Sequence, residues 1–286
     1  MPSFALVTPS FNQAAFLPAC LDSVLAQDGV ALRYVVRDGG STDGSVEILR
    51  RYDGRLDWCS GPDGGQVRAI NAALHELPGE FCGYLNSDDV LLPGALARVA
   101  QEFARHPEAD VIYGRAWFTD AEGRRTREYP TLPFDADALL QHCYLCQPAT
   151  FWRRSVHARH GWFDPAFDAT FDYEFWLRLL ARGARFRHLP EFLAESREHG
   201  ATKTATQRGR IFAEIRRMQF RHFGYLGRNW WEQQLRYWRD ESGSMWGSLL
   251  PGGRDERLYG LAWWPYVLVR RSLGGPLFHR PGDFRC

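Results

Sequence analysis

Two adjacent carboxylates stand in the stretch Gly83-Tyr84-Leu85-Asn86-Ser87-Asp88-Asp89-Val90-Leu91-Leu92-Pro93. An apolar run from Phe81 to Leu85 breaks into an amide, a hydroxyl and two acids, then turns apolar again. A buried strand delivering oxygen ligands to its C-terminal edge has this pattern, and that edge is where open α/β sheets bind ligands. In an extended segment, Asn86 and Asp88 point to the same side. A few oxygens from so short a segment suit Mg²⁺ or Mn²⁺ shared with a diphosphate better than a closed protein cage. The same residue types also build ordinary turns, so the rest of the chain decides their meaning.

A second acidic cluster lies in Thr170-Phe171-Asp172-Tyr173-Glu174-Phe175-Trp176-Leu177-Arg178. Tyr173, Trp176, Leu177 and Leu180 share one helical face, which places Asp172 at or near a helix N-terminus. Capping and the helix dipole are sufficient reason for an acid there. A catalytic reading requires Asp172 to face Asp88 across a pocket, with Glu174 in reserve. Arg197-Glu198-His199-Gly200-Ala201-Thr202-Lys203 is a basic loop carrying a possible metal ligand, His199, and the sole lysine of the chain, Lys203. Asp38, followed by Gly39, Gly40 and Gly44, either hydrogen-bonds a base or ribose or closes an Asx-turn. Cys143 and Cys146 form a lone CxxC, for which buried packing is the simpler reading than zinc.

Alternating strands and helices position these groups. Short apolar runs at Phe4–Val7, Leu32–Val36, Leu56–Cys59 and Phe81–Leu85 read as strands. Between them, Leu17, Leu21, Val24 and Leu25, then Val46, Leu49 and Tyr52, then Ile70, Ala73, Leu74 and Leu77 mark helices. This alternation predicts βαβ units, a parallel sheet and right-handed crossovers. Each strand ends in a polar or acidic loop at the same sheet edge, and four such loops make a site. Beyond them, Leu96 to Phe103 predicts a helix and Val111–Gly114 a strand. Trp117–Asp120 with Glu122-Gly123 predicts a hairpin, and Ala184–Leu189 a last strand. Leu139–Trp152 has no clean period, and Gln147-Pro148-Ala149-Thr150 reads as a pocket wall.

At 286 residues, with 45 % hydrophobic and 24 % charged residues, the chain can bury a full core. No apolar run approaches the roughly 20 residues that span a bilayer, and no basic segment precedes the first strand as in a signal peptide. Scattered cysteines in apolar surroundings fit reduced thiols and a cytoplasmic setting. The net charge of +1 conceals an acidic body and a basic tail, residues 207–286 holding 14 Arg against 7 Asp and Glu. Ile211, Ile215, Met218 and His222 lie on one face of an arginine-rich helix there, and Trp231, Leu235 and Trp238 mark another. Residues 258–273 combine Trp263, Trp264 and Tyr266 with Arg270 and Arg271, a composition suited to an anionic membrane surface or to packing on the body. Nothing in the chain has the pattern of a nucleic-acid module.

Six motifs in order resemble the family 2 glycosyltransferases. They are Thr8-Pro9-Ser10-Phe11-Asn12, Asp38-Gly39-Gly40-Ser41-Thr42-Asp43-Gly44, Asp63-Gly64-Gly65-Gln66 with Ala69-Ile70-Asn71, Asn86-Ser87-Asp88-Asp89, Phe171–Arg178 and Arg197-Glu198-His199. The resemblance covers roughly residues 4–204. It implies an α/β protein of the GT-A fold, a mostly parallel central sheet flanked by helices, with a C-terminal helical appendage. Residues 1–206 would form the catalytic domain, with a nucleotide-binding half at about 1–114 and an acceptor-side half at about 115–206. Residues 207–286 would be an extension. It also implies an inverting enzyme using a nucleotide-sugar donor, Mg²⁺ or Mn²⁺, and a carbohydrate or lipid-linked saccharide acceptor. By that resemblance Asp88 and His199 hold the metal and Asp172 is the catalytic base. Thr8, Pro9, Ser10, Asn12, Asp38, Gly39, Ser41, Asp63, Gln66, Asn71, Asn86, Ser87, Arg197 and Lys203 surround the nucleotide sugar.

Two positions depart from the family pattern. Asn86 replaces the first aspartate of the DxD motif, removing one negative charge. An aspartate restored there is expected to preserve or tighten metal binding. Phe171 replaces the acid that often precedes the base, which makes the surroundings of Asp172 more apolar. Burial of that kind raises a carboxylate pKa, and a nearby metal or Arg178 would lower it. Two other readings are weighed. A sugar nucleotidyltransferase needs a Gly-rich, basic phosphate cradle after its first strand, and Thr8–Gln13 is not one. An inactive sugar-nucleotide-binding scaffold would find its best support in Asn86.

Overall fold

Four parallel strands carry the polar loops, the first three running directly into helices that pack on the sheet and the fourth into a short strand ahead of its helix. The computed structural model describes residues 1–200 and 202–240. In chain order the first half comprises β1 (Ser3–Ser10), α1 (Leu17–Leu25), β2 (Ala31–Asp38), α2 (Ser45–Arg50), β3 (Asp57–Ser60), α3 (Gln66–Glu76), β4 (Phe81–Tyr84), β5 (Val90–Leu91) and α4 (Ala95–Arg105). The second half has β6 (Val111–Thr119), β7 (Arg125–Glu128), α5 (Ala136–Gln141), a 3-10 turn at Gln147–Ala149, β8 (Thr150–Arg153), α6 (Ser155–His160), α7 (Phe171–Ala181) and β9 (Phe186–Arg197). The short α8 (Lys203–Thr206) leads into α9 (Arg208–Phe223) and α10 (Arg228–Asp240).

The sheet order is β3-β2-β1-β4-β8-β6-β9-β5, with β7 paired to β6. β3, β2, β1 and β4 are parallel. Beyond β4 the sheet is mixed: β8 is antiparallel to both β4 and β6, β9 is parallel to β6, and β5 is antiparallel to β9. The parallel βαβ expectation therefore describes the first half, and parallel and antiparallel pairings mix in the second. Strand order reverses at β1, which has β2 on one side and β4 on the other, so the crevice between the β1 and β4 loops is a switch point where α/β sheets bind ligands.

Period-two alternation divides the core between the two faces. From β1, Phe4 and Leu6 join α1 and α4 on one face, while Ala5 and Val7 join α3 and α7 on the other. Gly83 in β4 permits the close approach of Phe151, since a Cβ there would stand 2.8 Å from that ring. Burial follows helical spacing in α9, where Phe212, Ile215, Met218 and Phe223 are inside. α9 packs on α7, and α10 on α9 and α5. Tyr173 Oη locks this arrangement, donating to the Leu139 carbonyl at 2.6 Å and accepting from Trp230 Nε1 at 3.0 Å.

Sequence patterning locates β1 to β4, the β6–β7 hairpin and the helices between them. It gives no sign of β8, and it ends β9 at Leu189, whereas the strand continues through Pro190 to Arg197. Pro190 is tolerated because β6 and β9 slip register beside it, around Gly114 and Arg115. Cys146 is buried in the core and Cys143 half-buried, and burial raises both thiols well above their usual range. The aromatic and basic segment at 258–273 lies outside the described residues.

Candidate active site

At the carboxyl ends of β1 and β4 lies a cleft of about 670 Å³. Pro9, Ser10, Phe11, Gly39, Asp63 and Gln66 line it from the first half, Asn86 to Asp89 from the loop after β4, and Gln147, Asp168, Phe171, Asp172, Arg197 and Lys203 from the second half. The two acidic clusters thus share one cavity.

The loop after β4 is fixed from both sides. Asp88 Oδ2 stands 3.1 Å from His199 Nε2. The His199 ring rests on Phe16, with 4.8 Å between centroids. Arg197 donates from Nε to the Asp88 carbonyl at 2.9 Å and from Nη1 to the Ala121 carbonyl at 2.8 Å. Asp89 turns inward and accepts from the Arg197 backbone N–H at 2.9 Å. Burial, reinforced by the Asp88 charge, pushes its carboxyl well above the usual carboxylate range. One carboxylate and one imidazole therefore converge beside the cavity, and Asp88 itself lines it. Among the described residues no cluster of three or more His, Cys, Asp or Glu forms a complete metal cage. The pair fits a divalent ion that takes its remaining ligands from a diphosphate and water.

Asn86 is held by an amide chain. Gln66 Nε2 donates to Asn86 Oδ1 at 2.8 Å, and Asn86 Nδ2 reaches Gln147 Oε1 and Asp89 Oδ2, each at 3.3 Å. Gln147 Nε2 in turn donates to the Tyr84 carbonyl at 2.7 Å. An aspartate at position 86 would lose both donations and set its charge against the Asp89 carboxyl. Asn86→Asp is therefore expected to destabilise the fold by about 1–3 kcal/mol, read from a denaturant midpoint, and not simply to tighten metal binding. An unchanged midpoint would show that the amide chain is unimportant.

On the donor side, Ser10 Oγ is buried and has no hydrogen-bond partner among the described residues, a group suited to meet a ligand. Phe11 is 61 % exposed at the cleft, and a Cβ on Gly39 would stand 3.3 Å from both the Phe11 ring and Asp63 Oδ2. Several expected contacts instead support the loops. Asp38 accepts from the N–H groups of Gly40 and Ser41 and from the hydroxyls of Ser41 and Ser60, at 2.5–3.1 Å. Asn12, at φ 53°, accepts from Thr42 N–H at 2.9 Å and donates its own N–H to Ser41 Oγ at 2.7 Å. Thr8 lies in the core with its hydroxyl 2.8 Å from Tyr34 Oη. Asn71 is turned away from the cleft, its side chain clamping the Phe163 backbone at 2.8 and 3.2 Å. These four side chains do not reach the cavity in this structure.

Asp172 stands in the first turn of α7 and lines the cleft. Burial raises its pKa above the usual value; the Tyr173 N–H and Lys203 oppose that, and Glu214 adds to it. The net direction is upward. Arg178 plays no part, since it pairs with Glu174 and donates to the Trp162 carbonyl at 2.8 Å. Glu174 is not a reserve base, because it is fully buried between Arg178 and His222, whose Nε2 lies 2.8 Å away. Hydropathy patterning missed Phe11, Tyr84 and Asp168 in the cleft wall. Phe11 and Tyr84 stand inside stretches that the sequence singles out, Asp168 lies outside them, and the expectation of a wall at Gln147 is met.

The profile for Glycosyl transferase family 2 matches residues 5–161, more than half of the chain. The chain belongs to this family. It is a glycosyltransferase, moving a sugar from a nucleotide-sugar donor to an acceptor hydroxyl. Among relatives of this family 2 enzyme, a PGL/p-HBAD biosynthesis glycosyltransferase of Mycobacterium tuberculosis is 32 % identical over 196 residues, covering 66 % of this chain and 75 % of the relative. The chondroitin synthase of Pasteurella multocida is 28 % identical over 204 residues, which are 70 % of this chain but 21 % of that much longer protein. S. aureus TarS 1–349 in complex with UDP-GlcNAc aligns with a TM-score of 0.61 at 17 % identity, covering 83 % of this chain and 73 % of that 1–349 chain. The mannosyltransferase PcManGT from Pyrobaculum calidifontis, in complex with GDP-Man and Mn²⁺, aligns with a TM-score of 0.53 at 19 % identity, covering 96 % and 76 %. At such identities the two structures establish the GT-A fold.

Proposed function

We propose that the cleft performs a single displacement, with the donor diphosphate at Asp88 and His199 and the acceptor hydroxyl at Asp172. The observation that carries this reading is the meeting of both carboxylates in one cavity, where burial holds the Asp172 carboxyl above the usual carboxylate range. Phe11 offers a flat apolar face to a nucleotide base, with Ser10, Gly39, Asp63 and Gln66 around the ribose and diphosphate. Asn86, Ser87 and Arg197 shape the diphosphate end, and Asp38, Asn12 and Ser41 hold the loop that meets the base. Lys203 places a cation at the cavity wall. The donor half would span about 1–114 and the acceptor half about 115–206, with α9 and α10 added against the latter.

A bound Mg²⁺ or Mn²⁺ supplies charge neutralisation of the departing diphosphate. Asp88 offers a carboxylate oxygen and His199 an imidazole nitrogen to hold it, and the nitrogen favours Mn²⁺ over Mg²⁺. Asp172 takes the proton of the acceptor hydroxyl as that oxygen attacks the anomeric carbon from the face opposite the diphosphate. One displacement inverts the anomeric configuration.

The relatives' names point to glycolipid or polysaccharide synthesis as the setting, with a carbohydrate or lipid-linked saccharide as acceptor. No described helix is long and apolar enough to cross a membrane. Peripheral attachment of a cytoplasmic enzyme through residues 258–273 is the accompanying proposal, and salt-sensitive binding to anionic liposomes tests it. A panel of sugar nucleotides with Mn²⁺, read by release of nucleoside diphosphate, tests the function itself. One donor should turn over well above the rest. Binding of a donor in thermal shift with no turnover of any would favour the inactive scaffold.

A further inference from the structure

The helix that carries Asp172 has no cap of its own. Thr170 occupies the N-cap position of α7, yet its side chain accepts no hydrogen bond from the first turn. Its hydroxyl instead donates to Glu214 Oε2 at 2.9 Å. The same oxygen accepts from the backbone N–H groups of Ala169 and Thr170, at 3.0 and 3.1 Å. Glu214 comes from α9, beyond the matched residues 5–161, and is 5 % exposed. Its other oxygen accepts from Arg210 Nε at 2.9 Å. Arg210 also reaches Asp168 Oδ2 at 3.1 Å, and Lys203 Nζ reaches the Asp168 carbonyl at 2.9 Å. Three side chains from α8 and α9 thus fasten residues 168–170, immediately ahead of Asp172.

We propose that Glu214 is a positioning residue for the reaction, a cap supplied in trans by α9 that fixes the loop and first turn presenting Asp172 to the acceptor. The proposal rests on Asp172 being the base. A buried carboxylate accepting three N–H and O–H donors makes strong, charge-assisted hydrogen bonds, and its charge is favourable at the positive end of α7. Only Phe171 separates this clamp from Asp172, so a shift of the clamp moves the carboxylate. Misplacement of a reacting group by about 1 Å costs on the order of a hundredfold in rate. The clamp also has an electrostatic consequence. Glu214 opposes ionisation of Asp172 and Lys203 favours it, while the remaining titratable neighbours, Tyr84, Tyr129, Cys143 and Cys146, are buried with raised pKa values and stay neutral.

The test compares Glu214→Gln with wild type in two measurements. The first is kcat and donor KM with the fastest donor of the sugar-nucleotide panel. The second is the ¹³C NMR titration of the Asp172 carboxyl, assigned by its loss in Asp172→Asn. Glu214→Gln should lose about tenfold to a hundredfold in kcat, keep donor KM within about twofold, and move the Asp172 midpoint to lower pH. A folded Glu214→Gln with unchanged kcat and unchanged midpoint overturns the proposal, as does a loss shared equally by kcat and donor binding. Thr170→Val removes one of the three donors without changing charge, and should lower kcat less, with the midpoint in place. If Glu214→Gln fails to fold and Thr170→Val is silent, the proposal falls. Asp172→Asn separates the two claims. Full activity of that variant sinks the base assignment, whereas its inactivity beside a fully active Glu214→Gln sinks the positioning role alone. In the Asp172→Asn background, Glu214→Gln should cost nothing further, and a second full loss there would show that Glu214 acts elsewhere.

Discussion

Asp172→Asn is expected to lose about 100- to 10,000-fold in kcat, the range that a positioned general base contributes, while donor affinity stays close to wild type. The amide is nearly isosteric and can still accept the Tyr173 N–H hydrogen bond at Oδ1, so α7 should remain folded. What it cannot do is take a proton. The loss is therefore confined to the transition state, and a fall in kcat without a rise in donor KM is its signature. A pH profile of the wild-type enzyme carries the same information. Asp172 must be ionised to act, and burial holds its pKa above the usual aspartate value of about 4. Activity should accordingly fall as pH drops through that raised value, with the acid limb lying above the ordinary aspartate range. Steady-state kinetics of both proteins over acidic to neutral pH decide the matter. Equal collapse of donor binding in Asp172→Asn would make the residue structural.

Asp88→Asn should cost roughly 100- to 1,000-fold in turnover, comparable to removing one preorganised group that stabilises developing charge. The side chain stands at the cleft and not in the core, so the thermal midpoint should change little. His199 Nε2 can still meet an oxygen at position 88, but the formal charge facing the diphosphate is gone. Excess chelator should bring the wild type down to a similar level, and added Mn²⁺ should restore the wild type but not the variant. Full activity of Asp88→Asn, or of wild type in chelator, would remove the metal from the reaction. Isothermal titration of Mn²⁺ in the presence of nucleoside diphosphate separates lost binding from lost chemistry.

Much of this site is legible in the residues themselves. The acids after β4 interrupt an apolar strand, a local signal, and strand ends of a parallel sheet gather at one edge whatever the details of packing. Position 172 is legible for the same reason, because a helical period fixes its place in the first turn. The roles of Asp38, Asn12 and Asn71 were not legible. Each is polar and beside a ligand-type loop, yet whether its side chain turns outward or back to the backbone depends on partners such as Ser60, Thr42 and Phe163, which lie 22, 30 and 92 residues away. The mixed half of the sheet was hidden in a similar way. β8 is four residues long and antiparallel on both sides, too short for a period to emerge from Leu139–Trp152. Glu214 shows the limit most clearly. In sequence it is one acid in an arginine-rich helix, and only folding brings it to the end of α7.

Single displacement with a proton-accepting carboxylate makes one stereochemical demand. Proton NMR of the first sugar that the enzyme releases from its preferred donor, to water or to acceptor, reads the anomeric configuration before mutarotation erases it. A donor with an α-linked diphosphate should yield a β product, and a β donor an α product. Retention of configuration would contradict a direct attack assisted by Asp172 and would require a second nucleophile in the cleft.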